Sequence, residues 1–155
     1  MMDLDELYQE VILDHYKNPR GAGLRAPYEG ESHQVNPTCG DEITLRVHLD
    51  GGAVADVSYD HVGCSISKAS ASVLYELVKG ASVADARTRF EEFSELMNSK
   101  GRGEADEDVL EDAVAFQGVS KYPMRVKCAL LGWMALKDAL IRAEASAPTP
   151  GGAEQ

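Results

Sequence analysis

The chain has 155 residues, of which 44% are hydrophobic, and its 26 acidic side chains outnumber its 15 lysines and arginines to give a formal net charge of −11. This length and apolar content predict one globular domain with a buried core. The negative charge argues against a general nucleic-acid binder and against a protein held on an anionic membrane surface, because both need a basic face.

The N-terminal segment MMDLDELYQE carries acids where a secretory signal would carry positive charges. No apolar run approaches the length of a membrane-spanning helix. We therefore expect the protein in the cytoplasm, where thiols are kept reduced. The three cysteines, Cys39, Cys64 and Cys128, lie far apart and cannot all pair within one chain. Metal binding or thiol chemistry is therefore expected rather than a disulfide framework.

The first predicted element is an amphipathic helix. Its apolar residues recur at helical spacing, at Leu4, Leu7, Tyr8, Val11, Ile12 and Tyr16. The pair Asn18-Pro19 ends this helix. Residues 20–38 are rich in Gly, Pro and polar side chains, which indicates a long loop, with only a weak strand pattern at 31–36.

A β-hairpin is predicted to follow this loop. Ile43, Leu45, Val47 and Leu49 alternate with polar residues, which is the period of a half-buried strand. A turn signal follows at Asp50-Gly51-Gly52, and the alternation resumes from Ala55 to Tyr59. Two alternating segments joined by such a turn indicate an antiparallel pair.

The second half of the chain is predicted to be mainly helical. The predicted helices run from Ser65 to a stop at Gly80, from a capping box at Ser82 and Asp85 to about Met97, and from Pro123 to about Ala145. Residues 109–119 are ambiguous, and the acid cluster from Glu104 to Asp112 is predicted to be a solvated loop. Strands followed by helices favour an α+β fold with the helices on one face of an antiparallel sheet.

Each cysteine lies near the end of a predicted element. Cys39 precedes a strand, Cys64 lies between a strand and a helix start, and Cys128 lies in the first turns of the last helix. Free backbone N–H groups at a helix start stabilise a thiolate. A small buried apolar residue is an equal alternative for any single cysteine. The three positions together favour one site at a rim of the sheet.

Asp41 is the candidate fourth member of that site. Two ligands separated by one residue can project to the same side of an extended segment, as Cys39 and Asp41 would. Three sulfurs and one carboxylate oxygen suit a tetrahedral Zn²⁺ site, and the same set can hold an iron–sulfur cluster. The spacing contains no CxxC pair, and Asp41 is equally compatible with a turn-forming acid after Gly40.

The remaining polar and aromatic candidates are assigned structural roles. The four histidines, His15, His33, His48 and His61, are predicted to lie on the surface or behind metal ligands rather than to bind metal. His61 is nearest in sequence to Cys64 and is the reserve ligand. Trp133 and Met134 are predicted to lie in the core.

Four segments together resemble the IscU-like iron–sulfur cluster assembly proteins, a group similar to the N-terminal domain of NifU, and in particular their SufU branch. The segments are HYKNPR (15–20), NPTCGDE (36–42), GCSISKASAS (63–72) and KYPMRVKCALLGW (121–133). The resemblance spans residues 4 to about 143. It implies a three-stranded antiparallel sheet with helices packed against it and the cysteines at one end. We therefore expect a single domain over residues 1–146 and a flexible tail over 147–155.

The resemblance also implies the ligand set. Cys39, Asp41, Cys64 and Cys128 fall on the positions of the zinc ligands in SufU-type proteins, which bind one Zn²⁺ per chain. Lys127 stands where scaffold proteins have a histidine directly before the last cysteine. The segment from roughly Gly101 to Ser120 corresponds to an insertion found in SufU-like chains.

The activity implied by the resemblance is sulfur relay. A pyridoxal-phosphate cysteine desulfurase of the SufS type would supply persulfide sulfur, and downstream iron–sulfur assembly machinery would receive it. In the family a partner histidine replaces one cysteine on zinc. This implies that Cys39 is released as the sulfur acceptor while Cys64 and Cys128 hold the metal. Arg125 is a candidate stabiliser of the thiolate or persulfide, with a surface salt bridge as its alternative.

Two other functions stay open at this point. One is a scaffold that assembles a [2Fe–2S] cluster and transfers it, with iron taking the place of zinc. The other is a zinc-stabilised adaptor in which the metal only folds the chain. Lys127 and the insertion favour sulfur relay over the scaffold. Asp41 opposes the adaptor, because structural zinc sites are built from Cys and His.

Overall fold

The structure, a computed structural model, describes residues 4–146. The helices are α1 (Leu4–Lys17), α2 (Ser65–Val78), α3 (Val83–Met97), α4 (Glu107–Leu110) and α5 (Pro123–Ser146), with a 3₁₀ helix at Glu111–Lys121. The strands are β1 (Gly30–Asn36), β2 (Asp41–Asp50) and β3 (Ala53–Val62). The predicted α+β class is confirmed. The tail predicted at 147–155 lies outside the described residues.

The three strands form one antiparallel sheet in the order β1-β2-β3. The predicted hairpin is confirmed, and the alternation in β2 buries Ile43, Leu45 and Val47 on the core face. The weak pattern at 31–36 belongs to a full strand, β1, which pairs along its length with β2. Its inward positions include Ser32 and Asn36 rather than large apolar residues. The sequence signal was therefore weak because β1 is buried without a hydrophobic alternation.

The core lies between this sheet and helices α2 and α5. Helix α5 crosses β1 and β2, and α2 packs against both α5 and β3. Trp133 of α5 is fully buried, and its ring stacks on Phe93 with centroids 4.7 Å apart. Its indole N–H donates to Ser70 Oγ at 3.1 Å. The prediction that Met134 also lies in the core is wrong: Met134 is exposed, because successive residues point in different directions around a helix.

The ambiguous segment before α5 folds as α4 and the 3₁₀ helix. Phe116 of the 3₁₀ helix is buried and meets Phe93 edge-on at 5.8 Å. The acids between Glu104 and Asp112 are exposed, as predicted, but the predicted loop is wrong from Glu107 onward, where α4 and the 3₁₀ helix form. Asp112 differs from the other acids of the cluster because its carboxylate forms a hydrogen bond with a histidine of α1.

That histidine is His15, which was predicted to lie on the surface or behind metal ligands, and the surface alternative is wrong. His15 is fully buried, with Nδ1 2.7 Å from Ser72 Oγ and Nε2 2.9 Å from Asp112 Oδ2. The Ser72 hydroxyl also accepts a hydrogen bond from the Arg20 backbone N–H at 2.9 Å. His15 therefore joins α1, α2 and the 3₁₀ helix through buried hydrogen bonds.

Residues 4–146 contain no helix with both the length and the apolar character needed to cross a membrane.

Candidate metal centre

The three cysteines and Asp41 come from four different places in the chain. Cys39 lies in the turn between β1 and β2, and Asp41 is the first residue of β2. Cys64 is the N-cap of α2, directly after β3, and Cys128 lies in the second turn of α5. Because β2 and β3 are antiparallel, the start of β2 and the end of β3 meet at the same end of the sheet.

The structure brings these four side chains into contact. The ligand atoms of Cys39, Asp41 and Cys128 all lie within 4.8 Å of one another. Cys64 Sγ lies 3.6 Å from Asp41 Oδ2, and its thiol also interacts with that of Cys128. Cys64 thus lies slightly outside the close group of three and joins it through Asp41 and Cys128.

Asp41 has a precise position within this group. It is fully buried, and its Oδ1 accepts a hydrogen bond from the Cys64 backbone N–H at 2.7 Å. Gly63 is required for this contact: its φ is +149°, and a Cβ at that position would overlap the Asp41 carboxylate. The second oxygen of Asp41 remains directed at the sulfurs. This arrangement leaves that oxygen available to a metal ion.

The chemistry of the group fits a divalent cation. Cys128 is buried, and burial together with the neighbouring Asp41 and cysteine side chains raises the pKa of its thiol. Acidic groups gathered out of water disfavour one another's ionisation, and a bound cation reverses that effect. Three thiolates and one carboxylate are a donor set suited to Zn²⁺, and thiolates also hold iron–sulfur clusters.

The three cysteines differ in exposure. Cys39 is exposed, Cys64 is intermediate and Cys128 is buried. Gly40 next to Cys39 has a φ of +73°, a left-handed conformation that closes the turn between β1 and β2. Cys39 is therefore the sulfur most accessible to a partner molecule.

Polar side chains that the sequence did not single out lie behind the sulfurs. Asn36 Nδ2 lies 3.9 Å from Cys128 Sγ, and Ser67 Oγ lies 3.6 Å from Cys64 Sγ. Ser67 is one helical turn after Cys64, and this i, i+3 spacing is the signal that would have found it.

The predicted reserve ligand, His61, lies behind Ser67. Its Nε2 is 2.6 Å from Ser67 Oγ, and burial lowers its pKa. His33 and His48 lie on the other face of the sheet, where they pair with Glu42 and Glu29. Among the residues that the structure describes, no histidine belongs to the group formed by Cys39, Asp41 and Cys128.

An open groove of about 670 Å³ lies beside the centre. Its walls are α1, the 3₁₀ helix and the starts of α2 and α5, and its lining includes Leu13, Tyr16, Lys121, Tyr122 and Arg125. The groove explains why Leu13 and Tyr16 of α1 are exposed although α1 has helical apolar spacing. Arg125 faces this groove, and in the described part of the chain it makes no hydrogen bond to a cysteine.

Comparisons with known proteins identify the family of this chain. Residues 7–129 match the model of the NifU-like N-terminal domain. The zinc-dependent sulfurtransferase SufU of Bacillus subtilis is 44% identical over 92% of this chain and 95% of its own. The iron–sulfur cluster assembly scaffold protein IscU of Streptococcus pyogenes is 37% identical over 90% of this chain and 86% of its own.

A solved structure shows the same fold. The N-terminal part of a NifU-like protein from Brucella abortus superposes with a TM-score of 0.83 and 25% identity, and covers 93% of this chain and 99% of that one. The range matched by the family model includes Cys39, Asp41, Cys64 and Cys128. This chain belongs to the NifU-like N-terminal domain family and, within it, resembles SufU.

Proposed function

We propose that this chain is a zinc-dependent sulfurtransferase of iron–sulfur cluster assembly, which accepts persulfide sulfur from a cysteine desulfurase of the SufS type. The observation that carries the proposal is one exposed cysteine, Cys39, placed against two less accessible cysteines and a buried aspartate. The name and 44% identity of the Bacillus subtilis relative support the same function.

The proposed zinc ligands are Cys39, Asp41, Cys64 and Cys128. When bound, zinc keeps thiols ionised as thiolates near neutral pH. Cys64 and Cys128 are fixed by their positions at the starts of α2 and α5, and Asp41 is fixed by the Cys64 N–H. Cys39 is held only by a short turn. We therefore assign sulfur acceptance to Cys39 and retention of the metal to the other three.

The sulfur transfer itself needs no external oxidant. The Cys39 thiolate attacks the terminal sulfur of the desulfurase persulfide, and a new S–S bond forms on Cys39. The S–S bond of the donor breaks, and its electron pair leaves with the desulfurase cysteine as a thiolate. Exposure of Cys39 is required, because the attacking sulfur must reach the donor in line with the bond that breaks.

The groove beside the centre is the surface that we assign to the desulfurase. Among residues 4–146 its lining carries Lys121 and Arg125 and no acid, in a chain whose net charge is −11. Apolar side chains of α1 give it a large contact area. We therefore expect the partner to present an apolar segment flanked by carboxylates, with binding that weakens as salt increases.

The alternative function is a scaffold that assembles and transfers a [2Fe–2S] cluster. The identity to the Streptococcus pyogenes IscU favours it, and three cysteines and an aspartate are compatible with it. Lys127 is exposed and occupies the position at which a scaffold would carry a further ligand. The chain therefore offers four ligands and no histidine beside Cys128, which favours sulfur transfer.

The deciding experiment is mass spectrometry of the zinc-loaded protein after incubation with the desulfurase and cysteine. We expect a mass increase of one sulfur on the peptide that contains Cys39. Cys39→Ala should keep the circular dichroism spectrum and lose both this sulfur and the stimulation of the desulfurase. Normal stimulation by Cys39→Ala would exclude the assigned role. A cluster reconstituted with iron and sulfide that passes intact to an apo-ferredoxin would favour the scaffold.

A further inference from the structure

Behind Cys64 lies a chain of two polar side chains that the proposed transfer does not use. Ser67 Oγ is 3.6 Å from Cys64 Sγ, and His61 Nε2 is 2.6 Å from Ser67 Oγ. Ser67 is 1% exposed, so bulk water does not compete for its hydroxyl. The order His61, Ser67, Cys64 is therefore a continuous hydrogen-bonded path that ends on a proposed ligand sulfur.

The single proton of the Ser67 hydroxyl has three neighbours. Besides His61 and the sulfur, the Cys64 carbonyl oxygen lies at 3.1 Å and accepts from the Ser67 hydroxyl as well as from the Lys68 backbone N–H. If His61 donates its Nε2–H to Ser67, the serine proton is shared between the Cys64 carbonyl oxygen and the Cys64 sulfur. If Nε2 carries no hydrogen, it accepts a hydrogen bond from the serine hydroxyl, and a lone pair of the serine oxygen then faces the sulfur. A thiolate at Cys64 favours the first arrangement, because a donor stabilises its charge.

The other two sulfurs are supported differently. Cys128 Sγ is 3.9 Å from the amide nitrogen of Asn36 and is buried. Within the part of the chain that the structure describes, Cys39 Sγ receives no hydrogen bond from a hydroxyl or amide side chain. Outer hydrogen bonds fix a metal ligand and strengthen its hold on the metal. Of the three sulfurs, that of Cys39 therefore has the least hydrogen-bond support from neighbouring side chains.

We propose that Ser67, oriented by His61, is a positioning residue that keeps Cys64 bound as a permanent thiolate ligand, so that ligand exchange and sulfur acceptance are confined to Cys39. This inference rests on the zinc site of the proposed function. It explains why Cys39 rather than Cys64 is released from the metal. It also assigns roles to Ser67 and His61, which are not themselves proposed ligands.

The test is chemical labelling of the zinc-loaded full-length chain. Wild type, Ser67→Ala and a control, Ser65→Ala, are treated with limiting iodoacetamide, and alkylation at each cysteine is mapped by mass spectrometry. Ser65 is the exposed neighbour on the same helix, and its hydroxyl is not part of the path. We expect wild type and Ser65→Ala to be labelled mainly at Cys39. In Ser67→Ala, labelling of Cys64 should rise about tenfold.

A second measurement follows zinc release to a colorimetric chelator and needs no desulfurase. Release should be about tenfold faster from Ser67→Ala than from Ser65→Ala. His61→Phe tests the direction of the path. If His61 is the donor, its removal increases labelling of Cys64 and speeds release. If His61 instead accepts the serine proton, its removal frees that proton for the sulfur and lowers Cys64 labelling, which overturns the proposal.

The outcomes separate this inference from the function on which it rests. Equal Cys64 labelling and equal zinc release in Ser67→Ala and Ser65→Ala would overturn the role of Ser67 and leave sulfur transfer intact. A wild-type chain that binds no zinc would contradict the proposed function itself. Metal analysis of the wild-type protein is therefore the first step.

Discussion

His15 Nε2 lies 2.9 Å from Asp112 Oδ2 across 97 positions of sequence, and this pair fastens the segment before α5 to the rest of the fold. His15 is fully buried, whereas the side chain of Asp112 is 54% exposed and belongs to an exposed acid cluster. Ser72 on the other side of the ring uses its oxygen to accept from the Arg20 N–H, which leaves its proton for His15 Nδ1. His15 then presents Nε2–H to Asp112, so the ring joins three elements in one orientation.

Asp112→Ala should loosen the 3₁₀ helix without unfolding the sheet. The substitution leaves the buried His15 N–H without its acceptor at 2.9 Å, although Glu76 at 3.5 Å offers a partial replacement. We expect a loss of about 1–3 kcal/mol in the free energy of unfolding and faster amide hydrogen exchange over residues 111–121. Glu107→Ala, an exposed acid of α4, is the control and should change neither quantity. Equal exchange in both variants would show that the pair does not hold the segment.

Gly63→Ala should remove the metal site while leaving the core in place. A Cβ at this position would overlap the Asp41 carboxylate. The alanine backbone would also have to adopt a φ of +149°, which side-chain-bearing residues rarely do. We expect zinc content to fall well below one per chain, with the circular dichroism spectrum retained. Gly118→Ala is the control, since a Cβ there meets open space. Full zinc occupancy in Gly63→Ala would mean that Asp41 is not needed as a ligand.

Removal of zinc by a chelator should lower the melting temperature without unfolding the chain. The apolar core contains Trp133, Phe93, Leu45 and Leu74, and it is built mainly from apolar side chains of the sheet and several helices, with Cys128 at its edge. Far-ultraviolet circular dichroism at 25 °C should therefore persist after chelation. Loss of the helical signal would favour the adaptor, in which the metal only folds the chain.

The ion pair between Arg25 and Asp56 predicts a defined dependence of stability on pH. Arg25 Nε lies 2.9 Å from Asp56 Oδ2, and this hydrogen bond lowers the pKa of Asp56 below 3.8. A carboxylate with a lowered pKa stabilises the fold above its unfolded pKa, and that contribution is lost as pH falls through the folded pKa.

Asp56→Asn should therefore be less stable than wild type at pH 7, and the difference should stay constant down to about pH 5. It should shrink as the pH falls below 3.8, where wild-type Asp56 also becomes protonated. Urea denaturation at each pH measures this difference. Asp60→Asn is the control, because no ion pair joins the exposed Asp60 to a basic side chain in the described residues. A difference that does not change with pH would assign the effect to packing instead.

The site could be predicted from the sequence as a set of residues but not as an arrangement. The spacing of Cys39, Asp41, Cys64 and Cys128 lacks a local motif, and their convergence came from the resemblance to a family. The helix boundaries and the hairpin followed from periodicity and caps, and the Ser82 cap is confirmed by its bond to the Asp85 N–H. Strand β1 was nearly missed, because Ser32 and Asn36 are buried through specific partners rather than through apolarity.

The sequence by itself determined the longer helices and the hairpin of β2 and β3, and which side chains are capable of thiolate and carboxylate chemistry. Both are local properties, set by the period of apolar residues and by residue type. Only the tertiary structure decided that His15 meets Asp112, that Ser67 and His61 stand behind Cys64, and that Cys39 is the exposed sulfur of the three. These relationships depend on how the sheet and helices pack, because packing brings together residues that no local pattern connects.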